Sequence, residues 1–253
     1  MNSSDHPYRA LVSSDWNECL APCGPFDVIA FSYPQLTDEL QTIFRRYTGN
    51  EITLGEATRK LRHRLPGAIT EALMDAYLDR QFSTYRGVAE LIRWCEESGI
   101  LFMINTTGMM GYFQRVFAKS LLPRVPVLSA HPMIRYPAGA ADPAYLLDLN
   151  ETWDKARNTE RVLHRLGLPF DRLVLIGDSG GDGPHFEWGA RHGAVLIGSM
   201  TKPSLDQYCR DKGIAVDHQF GQIYLPGQDK DPAAEIQFDF MELKGPIEAC
   251  LRR

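Results

Sequence analysis

The chain has no long hydrophobic run: no apolar stretch approaches the roughly 20 residues that a membrane-spanning helix requires. It also lacks a basic surplus. Its 27 Lys and Arg against 32 Asp and Glu leave a net charge of −5, which offers no footprint for nucleic acid or an anionic membrane surface. Cysteine is sparse and odd in number; five thiols predict reduced side chains in a cytoplasmic setting, not a disulfide framework. Cys19 and Cys23 stand close together, but no second Cys/His pair at zinc spacing accompanies them, so they read as ordinary thiols. The opening MNSSDHPYR has neither the basic region nor the apolar core of a signal peptide. Internal repeats and low-complexity tracts are missing too. At 253 residues and 44% hydrophobic, the chain has material for one domain with an insertion, or for two small domains.

The strongest positive signal is residues 173–182, LVLIGDSGGD. Four large apolar residues running into a glycine turn predict a strand buried on both faces, as in a parallel sheet. Asp178 and Asp182 then fall at the carboxyl end of that strand, where open α/β sheets place ligands. Two carboxylates there suit a hard divalent cation such as Mg²⁺, which takes one or two carboxylates plus waters and phosphate oxygens. The alternative is a turn with solvated aspartates.

Partners for those aspartates occur elsewhere along the chain. The first apolar stretch, residues 8–12, leads into Ser13-Ser14-Asp15-Trp16-Asn17-Glu18. A strand at 100–104 ends in a turn, Asn105-Thr106-Thr107-Gly108. Trp153-Asp154-Lys155 opens a helix striped by Ala156, Thr159, Val162, Leu163 and Leu166 and stopped by Gly167. Further strands are predicted at 126–130 and 194–198 and a short one at 222–225, with a helix around 186–192. Residues 138–149 read as a loop or hairpin, and His131 receives no role. Alternating strands and helices of this kind predict a doubly wound parallel α/β sheet.

Between the first strand and its crossover helix (Val88, Leu91, Ile92, Cys95), residues 36–82 show helical spacing and no strand signal. Residues 20–34, rich in proline and glycine, read as a linker. A helix over 36–47 closes at Gly49, Thr53 and Glu56 form a capping box that starts another, and 68–82 reads as a third. Residues 1–20 and 86–253 are therefore predicted to form the core, with 21–85 an inserted helical cap. The cationic residues Arg59, Lys60, Arg62, His63 and Arg64 read as a solvated face, with a substrate-phosphate contact as the alternative.

The order Asp15, Thr106/Thr107, Lys155, Asp178 with Asp182 resembles the haloacid dehalogenase (HAD) superfamily, with its D-x-D-G-T, S/T, Lys and G-D-S-x-x-D motifs. The wording over 52–113 is most similar to the branch holding phosphoserine phosphatase and methylthiopentenyl-phosphate phosphatase. This resemblance implies a Rossmann-like core, a Mg²⁺ cofactor and a phosphatase acting on a small phosphorylated metabolite. It implies Asp15 as nucleophile, with Mg²⁺ held by Asp15, Asp178, the backbone carbonyl of Asn17 and, directly or through its waters, Asp182. Asp182 alternatively orients Lys155. Thr106 or Thr107, Gly108 and Lys155 would contact the phosphoryl group.

The first motif departs from the family. Asn17 stands where a second aspartate protonates the leaving group, Glu18 where glycine is usual, and Cys19 where threonine is usual. An amide is no proton donor near neutral pH, so general acid–base help is missing at position 17. Three outcomes follow: Glu18 substitutes; the reaction needs no such group, as in phosphonoacetaldehyde hydrolase, which the Asp-Trp pair and Thr-Thr-Gly turn also resemble; or the chain binds a phosphorylated ligand without turnover. The second outcome would require a Schiff-base lysine, for which Lys60 is the available residue.

Overall fold

The computed structural model describes residues 8–49 and 51–251; residues 1–7, most of the stretch read for signal-peptide features, lie outside them. Seven strands, β1 (Ala10–Ser14), β2 (Ile100–Met109), β3 (Val127–His131), β4 (Tyr145–Asp148), β5 (Leu173–Gly177), β6 (Val195–Ser199) and β7 (His218–Phe220), pair in parallel in the order β4-β3-β2-β1-β5-β6-β7. The order reverses at β1, which pairs with β2 on one side and β5 on the other. A crevice opens at such a reversal, outside the carboxyl ends of the strands. The doubly wound parallel α/β architecture is as the sequence predicts.

Alternate strand residues feed two cores, as a strand buried on both faces requires. Leu11, Met103, Leu173 and Leu175 face α7 (Asp154–Leu166), α8 (Gly183–Arg191) and α9 (Pro203–Lys212) through Val162, Leu163, Phe186 and Leu205. Val12, Phe102, Ile104 and Ile176 join the larger core with α5 (Val88–Glu97), α6 (Met110–Ala118) and α11 (Lys244–Leu251). Between β1 and α5 the chain inserts α1 (Asp27–Ser32), α2 (Thr37–Thr48), α3 (Leu54–Arg64) and α4 (Glu71–Gln81). The Thr53–Glu56 capping box forms in both directions, at 3.2 and 3.1 Å. Arg115 of α6 clamps Asp75 of α4 with two hydrogen bonds of 2.8 Å, and Glu151 accepts from Thr53 and Gly55 at 3.1 Å. None of the described helices is long and apolar enough to cross a membrane.

Four expectations need correction. Residues 222–225 are no strand: Gly221, at φ 77°, turns the chain after β7, and Ile223 and Leu225 stand exposed. The predicted loop or hairpin over 138–149 contains β4, a half-exposed edge strand with no buried apolar run to betray it. The linker over 20–34 contains α1. The threonine turn is a continuation of β2, whose pairing with β3 shifts between Asn105 and Met109. Such a bulge re-aims side chains at a sheet's end, and here it carries Thr106, Thr107 and Gly108. As predicted, Cys19, Cys23, Cys95 and Cys209 are free thiols, all buried.

Directly after this bulge, Phe113 is fully buried and meets the Trp16 ring edge-on at 5.4 Å. Phe113→Ala should lower unfolding free energy by about 3–5 kcal/mol in a urea titration, the usual cost of truncating a core aromatic.

Candidate active site

Each side chain at the crevice is aimed by a strand end or a helix start. Asp15 directly follows β1, and its amide donates to the Ile176 carbonyl of β5 at 2.9 Å, joining the two central strands at their ends. Lys155 opens α7 and points inward, only 1% exposed. Behind it lies a buried polar network: Asn105 Nδ2 donates to Ser13 Oγ (3.1 Å), Thr159 Oγ1 (3.0 Å) and the Lys155 carbonyl (2.9 Å). His185 adds a contact to Thr159 at 3.0 Å, and burial pushes its pKa down to about 3, so it stays neutral.

In the loop after β5, Asp182 Oδ2 accepts from the amides of Asp178 (3.0 Å) and Ser179 (3.2 Å). A Cβ on Gly177 would lie 2.6 Å from the Asp182 carboxyl carbon, so this folded-back loop requires glycine there. The Lys155 ammonium lies 2.5 Å from Asp182 Oδ1 and 3.0 Å from Asp15 Oδ2. One oxygen each from Asp15, Asp178 and Asp182 fall within 4.8 Å of one another.

Burial dominates the electrostatics. It would lower Lys155, but Asp15 and Asp182 outweigh it and hold the ammonium charged. Asp15 is raised by burial, with Lys155 opposing. Burial acts to raise Asp182 as well, yet Lys155 and the two amides hold it below the usual carboxylate range. Asp178 is pushed up by burial to about 8, against the pull of Lys202. Neither Asp178 oxygen accepts a hydrogen bond of good geometry, although Lys202 Nζ lies 2.6 Å from Oδ2. Hard oxygen donors, one of them buried and under-coordinated, fit a divalent cation.

Thr106 and Asn17 meet here as well. Thr106 Oγ1 donates to Asn17 Oδ1 at 3.2 Å and accepts from the Gly108 amide at 3.1 Å, while Asn17 Nδ2 donates to the Cys23 carbonyl at 3.3 Å. Gly108 packs against the same amide: a Cβ there would stand 2.5 Å from Asn17 Oδ1. Thr107 lies toward Tyr47 of α2. Glu18, in the left-handed region at φ 58°, turns away to Lys202 and Lys230. Those two lysines outweigh its burial and hold Glu18 below the usual range, ionised and unable to donate a proton. Glycine takes this left-handed backbone at less cost than glutamate does.

The structure thus brings together Asp15, Thr106, Lys155, Asp178 and Asp182, with Asn17, Thr107 and Gly108 at the rim. No motif marks Tyr47, Lys202 or Lys230; lone residues in a helix and two loops carry no spacing signal. The residues Arg59, Lys60, Arg62, His63 and Arg64 are exposed, with Arg64 paired to Glu39 at 2.9 Å.

No protein-family model matches the chain, and no curated protein matches it in sequence. Solved structures are similar to it in fold. A substrate-bound phosphoserine phosphatase is similar with a TM-score of 0.66 at 16% identity, covering 94% of this chain and 98% of that one. A phosphoserine phosphatase holding a phospho-aspartyl intermediate analogue gives 0.65 at 16% identity, over 94% and 99%. A HAD family hydrolase from Salmonella enterica serovar Typhi gives 0.59 at 16% identity, over 84% and 68%. This chain has the HAD-like α/β Rossmannoid fold that its motif order predicts.

The raised Asp178 predicts a pH signature in chelator-treated protein. Its folded pKa of about 8 lies above its ordinary 3.8, so its contribution to stability is full below about pH 4 and is lost as pH rises through about 8. Asp178→Asn should flatten the decline in urea-unfolding free energy across that window; an unchanged slope would show that Asp178 is not its source.

Proposed function

We propose that the chain is a Mg²⁺-dependent phosphohydrolase of the HAD superfamily, acting on a small phosphorylated metabolite through Asp15. The observation that carries this reading is the convergence of Asp15, Asp178 and Asp182 at the carboxyl edge of the sheet, with the Lys155 ammonium paired to Asp15 and Asp182. Similarity in fold to phosphoserine phosphatases supports the same reading. The buried thiols and acidic net charge accord with a cytoplasmic enzyme working without nucleic acid or membrane partners.

In this mechanism the Asp15 carboxylate attacks phosphorus, the bond to the leaving oxygen breaks, and water then cleaves the resulting aspartyl phosphate. Asp15 and Asp178 would hold the cation, and the Asn17 carbonyl would be a further oxygen donor. When bound, Mg²⁺ neutralises the nucleophile and phosphoryl oxygens so that like charges can meet. Lys155 binds a phosphoryl oxygen and offsets the charge developing there. Asp182, occupied by two amides and Lys155, orients that lysine. Thr107, the more open of the two threonines, donates to the phosphoryl group, while Thr106 fixes the Asn17 amide. Helices α1–α4 serve as the cap over the site.

Neither Asn17 nor ionised Glu18 supplies a proton to the departing oxygen. The site therefore suits leaving groups that depart as stable anions, such as carboxylates and phenolates, better than alkoxides. The same locked amide favours a second reading, a weakened relative that binds a phosphorylated ligand without turnover. A C–P hydrolase is less well supported, because Lys60 sits on the exposed face of α3.

Turnover of acyl, aryl and alkyl phosphates with Mg²⁺ distinguishes these readings. Hydrolysis of the first two ahead of the third, lost in Asp15→Asn, supports the enzyme; a flat panel with vanadate still bound supports the binding protein. Asn17→Asp restores a proton donor of the same shape and should raise alkyl phosphate hydrolysis by about 10²–10⁴-fold. An unchanged rate would place the limitation elsewhere than proton transfer.

A further inference from the structure

One cation at the site has no part in the mechanism above. Lys202 lies between β6 and α9, and its amide donates to the Asp178 carbonyl at 2.7 Å. Its ammonium sits 2.6 Å from Asp178 Oδ2 and also pairs with Glu18. The side chain borders a cavity of about 630 Å³ shared with Glu18, Arg45, Tyr224 and Lys230. Asp178 is the carboxylate with the fewest hydrogen bonds in the cluster, and the one the proposed cation shares with Asp15.

We infer that Lys202 is a tethered rival for the cation site: its ammonium sits on Asp178 while no divalent ion is held, and withdraws to Glu18 when one binds. This rests on the reading of Asp15 and Asp178 as cation ligands. An ammonium and a divalent ion on one buried carboxylate repel each other strongly, because few waters screen them. Glu18 supplies the second seat. Its unusual backbone turns the carboxylate toward Lys202, and Lys230, 3.3 Å away, anchors it from the other side. The adjoining cavity gives the lysine stem room to move. Lys202 thereby sets the affinity for the ion without contacting substrate, a positioning role.

Mn²⁺ binding, read from the free-ion electron paramagnetic resonance signal without substrate, tests this on the intact chain. Lys202→Met should tighten Mn²⁺ binding by roughly tenfold or more, as expected on removing a like charge at this range. Lys202→Arg, which keeps the charge, should stay near wild type, and Glu18→Gln should weaken binding severalfold because the displaced ammonium loses its seat. Should Lys202→Met fail to fold, Lys202→Gln removes the same charge and keeps a polar end. Unchanged or weaker binding in the uncharged variant overturns the inference while leaving the cation reading intact, provided Asp178→Asn abolishes binding. If wild type and Lys202→Met both fail to bind Mn²⁺, both ideas fall together.

Discussion

The Lys155 ammonium, buried between Asp15 and Asp182, is the constraint to which the rest of the site conforms. A lone buried cation is prohibitively costly, and so is a lone buried carboxylate. Each of the three therefore depends on the others staying in register. Asp15 comes from the end of β1, Asp182 from the loop after β5 and Lys155 from the start of α7, so one ionic triad fixes three chain segments relative to one another. The network of Ser13, Asn105, Thr159 and His185 beneath it holds the backbone of Lys155 from behind.

Much of this was legible in the sequence because it obeys local rules. Leu173–Gly177 is a strand buried on both faces, which leaves an unbroken apolar run. Thr53 and Glu56 form their cap within four residues, and Gly167 stops its helix at φ 63° because only a residue without Cβ takes that conformation cheaply. Asp15, Asp178 and Asp182 were readable through their order and their place at strand ends, and Lys155 through its place at a helix start.

What the sequence conceals depends on contacts between distant segments. β4 shows no apolar run because its edge position leaves it half in solvent. The β2 bulge cannot be seen without β3 beside it, so Thr106 and Thr107 could not be told apart by spacing. In the structure they divide, one facing Asn17 and the other Tyr47. Lys202 and Lys230 lie 184 and 212 residues from Glu18, and nothing in their immediate surroundings announces a partner so far away. The same distance explains why Glu18 reads as a replacement acid in the sequence and as a lysine anchor in the fold.

One further carboxylate governs how the rim of the site is hung. Glu235, only 1% exposed, accepts from the Tyr85 hydroxyl at 2.5 Å and the Tyr224 hydroxyl at 2.8 Å, with Lys230 at 3.6 Å. Tyr85 in turn donates its amide to the Leu20 carbonyl at 3.1 Å, just past the loop that follows β1. The last stretch of the chain thus hinges on a single buried acid shared with the segment entering α5. The cavity wall formed by Tyr224 and Lys230 and the counter-charge that Lys230 lends to Glu18 thus share one buried support.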